Sequence, residues 1–348
     1  MYTASGAVVA LLDYKFSDNI ASSSFGPDVF RGSNALTFAS SCTGTENFGH
    51  GHLMCYNCVK DMPQDWEAAD CKAVVSESTV SSQTTFENAI ITDNTIVLSA
   101  GFTVSSEIVI LDVTGLKVNG AGFTMSGGYD TDIFGNVVSD ASRVFYIANA
   151  GTELTIENLI FTNGYSSSTS FGNQYGGAIY IGQGVSIAIS GCTFMDSYSI
   201  AGYGGGVALG RDTSTTGITV TLTSCIFTGN SVLSGGQGGG LFIGTGVIVT
   251  MEDCDVTSNV GAVNGGGISQ YAASTATLTR VTFTSNSCSS YGGGYFNNGG
   301  ATSVTSLTSC EFTSNTASTS GRGGGVSDDY LLFVCENTAL TRRHQCVL

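Results

Sequence analysis

TVTLTSCIFTGN, Thr219–Asn230, carries two strand signatures in twelve residues. Val220 and Leu222 alternate with Thr219, Thr221 and Thr223. Ser224 then shifts the phase, and Cys225 and Phe227 become the next apolar pair. Apolar residues at period two lie on one face of a strand, whereas a helix would bring them together every third or fourth residue. The pattern recurs as Val247/Val249/Met251 then Cys254/Val256, and as Ala276/Leu278 then Val281/Phe283.

The stretch belongs to a repeat. Phe-x-x-Asn or a close variant stands at Phe161–Gly164, Phe194–Ser197, Phe227–Asn230, Val256–Asn259, Phe283–Asn286 and Phe312–Asn315, with anchors 33, 33, 29, 27 and 29 residues apart. A glycine run followed by an apolar residue accompanies each: Gly176–Ile179, Gly204–Val207, Gly238–Leu241, Gly265–Ile268, Gly292–Tyr295 and Gly323–Val326. A unit of about 30 residues cannot bury its own apolar face and must stack on its neighbours. Stacking aligns Phe161, Phe194, Phe227, Val256, Phe283 and Phe312 in one column and Leu159, Cys192, Cys225, Cys254, Val281 and Cys310 in another. Asn230, Asn259, Asn286 and Asn315 form a third, at bends where amides bond along the stack. The glycines mark a tight corner that requires positive φ or close backbone approach. The expected architecture is all-β: a right-handed parallel β-helix coiling through three sheets and rising about 4.8 Å per turn.

Composition agrees. Gly is 48 of 348 residues, Pro only 2, and charged residues are 11%. A disordered chain has more charge, collagen has Pro and a strict period of three, and a helical bundle is rich in Ala, Glu, Lys and Leu. The net charge of −16 repels nucleic acid and anionic membrane surfaces, and no apolar run reaches the length of a transmembrane helix.

The FxxN and GGA[ILV] pairing resembles the repeats of chlamydial polymorphic outer-membrane proteins and, more widely, right-handed β-helix proteins of the pectin-lyase-like superfamily. The resemblance covers roughly residues 73–330, with GGG standing in most units where that motif more often has GGA. It implies a surface-exposed or secreted passenger, stalk or adhesin.

Upstream, Phe86, Ala89 and Ile90 share one helical face, ahead of the strand-like runs Thr95–Val104 and Ile108–Gly120. A short helix there would cover the open end of the solenoid. Phe16-Ser17-Asp18-Asn19 is a further FxxN. Residues 1–40 are therefore expected to be the last coil of a preceding β-helix, with Met1 internal to a longer natural product. Residues 41–72 read as a Cys-rich connector, 73–330 as the β-helix and 331–348 as an irregular tail.

Cys42, Cys55, Cys58 and Cys71 are spaced C-x12-C-x2-C-x12-C, with His50 and His52 between the first two. Two disulfides in a small cap is one reading, with three possible pairings; a zinc site is the other. Cys192, Cys225, Cys254 and Cys310 share the parity of the Phe column and are expected as small inward fillers. Gly49-His50-Gly51 matches a tripeptide of polygalacturonase-like enzymes but lies outside the repeats. Glu252, Asp253 and Asp255 cluster in one unit as calcium candidates. Thr221, Thr250 and Thr277, beside Thr223, Thr279 and Thr308, form an outward array of the kind that orders water on a flat surface.

These observations favour a non-enzymatic, extracellular or cell-surface structural or adhesive rod. Its expected partners are glycans or proteins, or copies of itself in a filament or coat, and it requires no cofactor. A polysaccharide-active β-helix enzyme is the main alternative, and an ice- or surface-binding threonine array the third.

Overall fold

The computed structural model describes residues 77–130, 141–167, 175–200, 202–211, 217–299, 302–318 and 323–328, together with the backbone of five further short strands. The chain divides into two compact units, Met1–Ser76 and Glu77–Leu348. Of the first, a three-stranded parallel sheet is described, in which Thr37–Ala39 lies between Val9–Leu11 and Met54–Cys55. Cys42, Cys58, Cys71 and the Gly49-His50-Gly51 tripeptide lie outside the described residues, as does the side chain of Cys55.

The second unit is a parallel β-helix. The chain passes in turn through a ten-stranded sheet, a nine-stranded sheet, a six-stranded sheet and an eight-stranded sheet, every neighbouring pair parallel. One full coil comprises Thr219–Thr223, Ile226–Thr228, Ser231–Val232 and Leu241–Ile243. Four sheets replace the expected three. The additional ladder is made of two-residue strands following the FxxN bend, from Tyr165–Ser166 to Thr316–Ala317. Strands this short carry no readable alternation, so periodicity alone does not show them.

Register puts like over like. Phe161 pairs with Phe194, Phe194 with Phe227, Phe227 with Val256, Val256 with Phe283, and Phe283 with Phe312. The rings stack face to face: centroids are 5.1 Å apart for Phe161–Phe194, 4.9 Å for Phe194–Phe227 and 4.5 Å for Phe283–Phe312. Those distances follow the strand spacing of about 4.8 Å, so the backbone sets the ring stacking. All six residues are buried, as are Leu159, Cys192, Cys225, Cys254, Val281 and Cys310.

The coil turns on left-handed residues. Ser224 (φ 53°), Asp253 (53°), Arg280 (54°) and Ser309 (54°) occupy the bend between the ten- and nine-stranded sheets. Asp196 (48°), Gly229 (66°), Ser258 (56°), Ser285 (57°) and Ser314 (58°) occupy the next bend. The first glycine of each glycine run forms the third, as at Gly265, whose φ is 59° and where a Cβ would meet the Ile268 carbonyl oxygen at 2.4 Å. Only glycine is tolerated there on both counts.

Immediately after the second bend the asparagines form an internal hydrogen-bonded ladder. Asn259 Nδ2 donates to the Phe227 carbonyl at 2.9 Å and to Asn286 Oδ1 at 3.0 Å. Its Oδ1 accepts from Asn230 Nδ2 at 3.0 Å and from the Asn230 backbone N–H at 3.0 Å. The same pattern runs from Asn286 to Asn315, and Asn230 Oδ1 accepts from the Ser197 N–H at 3.1 Å. Each amide thereby satisfies backbone groups that the turn removes from the sheet ladders.

At the N-terminal end of this unit the helix Gln83–Asn88 begins with a capping box between Ser82 and Thr85. It follows the strand Glu77–Val80 and inserts Phe86 into the core against Phe145, with centroids 5.4 Å apart. It packs on Ile108–Leu111, the first strand of the eight-stranded sheet.

Asn259→Leu leaves the Asn230 N–H and the Phe227 carbonyl without partners in an apolar interior. The expected cost is about 3 kcal/mol, read from urea unfolding; a loss below about 0.5 kcal/mol would show that the ladder is not a stabilising element. Gly265→Ala is expected to lower the melting temperature, whereas Ser285→Gly, which relieves a left-handed serine, is expected to leave it level or raise it.

Candidate functional site

The three acidic candidates sit at the bend between the ten- and nine-stranded sheets. Glu252 ends one strand, Asp253 is the left-handed corner and Asp255 opens the next strand. Arg280, the equivalent corner one coil later, donates from Nε to Asp253 Oδ1 at 2.6 Å, from one terminal nitrogen to Asp253 Oδ2 at 3.0 Å, and also to Glu252. Asp255 is hydrogen-bonded to the Thr282 hydroxyl. The hydrogen bond from Arg280 holds the Asp253 carboxyl below the usual carboxylate range. Both side chains are about half exposed, so the pair is a surface feature of small energetic weight. Glu252 and Asp253 thus face a guanidinium and Asp255 a hydroxyl, and among the described residues no group of three or more His, Cys, Asp or Glu is gathered closely enough to hold a metal ion.

The threonine array lies on the outward face of the ten-stranded sheet. Thr221, Thr250 and Thr277 are in register, with Ala188 before them and Ser306 after. In the neighbouring column Glu252 stands between Thr223 and Thr279, and Thr308 follows. A second file, Thr228, Thr257, Thr284 and Thr313, runs along the nine-stranded sheet.

Among the described residues, Cys192, Cys225, Cys254, Cys288 and Cys310 are buried and not joined in disulfides. Cys288 belongs to the strand Ser287–Cys288 of the six-stranded sheet. Burial pushes the Cys192 thiol up to about 11 and raises that of Cys288. Cys254 is raised by its hydrogen bond with Cys225 and by burial. None of the three is tuned toward thiolate chemistry.

The eight-stranded sheet differs from the others on its outer side. Its strands are three or four residues long, with the first and third positions facing the main core. The central position faces away, and there the file reads Tyr146, Tyr180, Ala208, Phe242, Ser269 and Phe296. The residue just before each glycine run contributes a parallel column that includes Tyr175, Tyr203 and Tyr291. Tyr271 follows its strand and turns back over Phe242. Ring contacts make this one patch: Tyr146–Tyr180 at 5.3 Å, Tyr175–Tyr203 at 5.3 Å, Tyr203–Phe242 at 4.5 Å and Phe242–Tyr271 at 5.2 Å. Tyr180 and Phe242 are buried as its floor, and Tyr146, Tyr175, Tyr203 and Tyr271 are half-buried.

Polar groups tie the patch down. Gln237 Nε2 donates to the Tyr271 hydroxyl at 3.2 Å, and Ser269 Oγ donates to Gln237 Oε1 at 3.0 Å. Arg143 is fully buried beneath the first two tyrosines, its guanidinium carbon 6.0 Å and 5.5 Å from the Tyr146 and Tyr180 ring centres. It bonds the Gly176 carbonyl at 2.8 Å and Glu107 at 3.0 Å. Burial lowers its pKa to about 10, which still leaves a cation at neutral pH. The adjacent Tyr180 raises the pKa of Arg211. Sequence reading missed this surface because its aromatics occupy three different phases of the repeat. The available signal was the tyrosine before the glycines, at Tyr175, Tyr203 and Tyr291.

No protein-family model, curated protein or solved structure matches the chain. Among the described residues, no helix is long and apolar enough to cross a membrane.

The core thiols have a testable consequence. At pH 8, peptides containing Cys192, Cys225 and Cys254 are expected to stay unmodified when the native chain meets a thiol reagent, and to be labelled fully in denaturant, as followed by mass spectrometry. Rapid labelling of the native chain would place these residues outside the core.

Proposed function

We propose that the chain is a non-enzymatic structural or adhesive element of an extracellular or cell-surface assembly, a stiff rod that presents its sides and loops to glycans or proteins or to further copies of itself. The observation that carries this reading is the unbroken register of the stack. The inward phenylalanine column, with Val256 in one unit, continues through six repeats and the asparagine ladder through the last four, so the repeat positions build length and rigidity. The likeness of the FxxN and GGA[ILV] elements to polymorphic outer-membrane protein repeats, and more broadly to pectin-lyase-like β-helices, supports a surface location. Charge points the same way: with 27 acidic against 11 basic residues, the rod repels polyanions, including the acidic polysaccharides cleaved by enzymes of similar shape.

The experiment is incubation with a panel of uronic-acid polymers and calcium, followed for unsaturated products and new reducing ends. No turnover is expected. Turnover abolished by replacing Glu252 and Asp253 would make the protein a polysaccharide-active enzyme and end the rod reading.

A further inference from the structure

We propose that the outer aromatic face of the eight-stranded sheet is a binding platform for an uncharged linear glycan laid along the solenoid axis. This deepens the rod reading above by giving one side of the rod a ligand class.

The aromatic rings first require an explanation. Phenylalanines of the core are accounted for by burial, but Tyr146, Tyr175, Tyr203 and Tyr271 lie on the opposite side of the sheet and are half-buried. They form a continuous ring surface over a buried floor of Tyr180 and Phe242. The outward faces of the ten- and nine-stranded sheets, built from the same repeats, carry mainly Ser and Thr instead. An amphipathic ring with a polar tip suits a ligand that is itself apolar on its faces and hydroxylated at its edges, which describes a pyranose.

Size favours a narrow ligand. The patch extends from strand Phe145–Ala148 to strand Ile268–Gln270, which is four strand spacings. That gives a length of roughly 19 Å, and a three-residue strand makes it roughly 10 Å wide, or about 190 Å². A stable protein interface takes about 800 Å² from each partner, several times more. Along the central file the rings are Tyr146, Tyr180 and Phe242, with Ala208 and Ser269 among them, and Tyr175, Tyr203 and Tyr271 complete the strip from beside the file.

Charge selects within the glycans. The face presents phenols and the Gln237 amide, with Arg211 beside Tyr180, while Arg143 is buried beneath the face and paired with Glu107. The chain as a whole carries −16, which repels a polyanion before contact. That overall charge favours an uncharged glycan over a polyanion.

Affinity electrophoresis of the full chain in gels containing soluble β-glucan, xylan, mannan or polygalacturonate tests this. Retardation by at least one of the three uncharged polymers is expected. Tyr203→Ala and Tyr271→Ala are each expected to weaken it about tenfold, at the upper end of what one aromatic contact supplies, and Tyr203→Phe is expected to retain it. Tyr146→Ala, a side chain at the edge of the patch, gives a second truncation should Tyr203→Ala fail to fold, and circular dichroism checks each variant. Thr250→Ala, on another sheet, is expected to change nothing. Retardation by polygalacturonate alone, no retardation by any polymer, retardation indifferent to folded tyrosine variants, or attachment to cells abolished by protease but not by glycosidase would each overturn the proposal. Those results leave the rod reading intact, whereas polymer turnover would remove the rod reading whatever the gels show.

Discussion

The structure depends on parallel pairing between successive coils at one fixed register. No coil has a partner for its apolar face within itself, so the face is covered only by the coils on either side. A shift by one residue would turn every inward Phe and Cys outward. Register is held from two directions. Stacked rings such as Phe283 and Phe312 fill the interior at the strand spacing, and the Asn ladder joins backbone groups of adjacent coils at the bends where sheet hydrogen bonds stop. An apolar side chain at Asn259 would fill the space but leave those groups bare.

The outer surfaces are free of this constraint, and there the sheets diverge. On two sheets the outward positions are mainly Ser and Thr, compatible with water on a strand. On the eight-stranded sheet several are aromatic, and beneath Tyr146 and Tyr180 lies a buried arginine with its carboxylate partner. The guanidinium carbon lies within 6.0 Å of the Tyr146 and Tyr180 ring centres. Replacing either partner alone would strand the other's charge.

The inward positions were legible in the sequence because burial imposes both chemistry and spacing: Phe227 and Cys225 repeat with a strict parity, and Asn230 recurs three residues beyond the Phe. The fourth sheet was not legible, since two-residue strands such as Ser231–Val232 leave no period to read. The acids Glu252, Asp253 and Asp255 were legible as a cluster but not as partners of Arg280 and Thr282, because these lie 27 or 28 residues away and meet them only through the coil. The aromatic face was hidden for a related reason. Tyr203, Phe242 and Tyr271 come from three successive coils and from three different positions within a coil, so only the folded stack assembles them.

The central claim is that equivalent residues of successive coils stand one strand spacing apart along a straight file. Pulsed dipolar spectroscopy between nitroxides carried on non-thiol-linked residues at Thr155 and Ser306 tests it most directly, since the two lie in one outward column five pairings apart. The predicted distance is a narrow peak near about 24 Å, shortening by about 4.8 Å when the second label moves to Thr277. A broad distribution, or a distance that fails to shorten by one spacing, would contradict the stack.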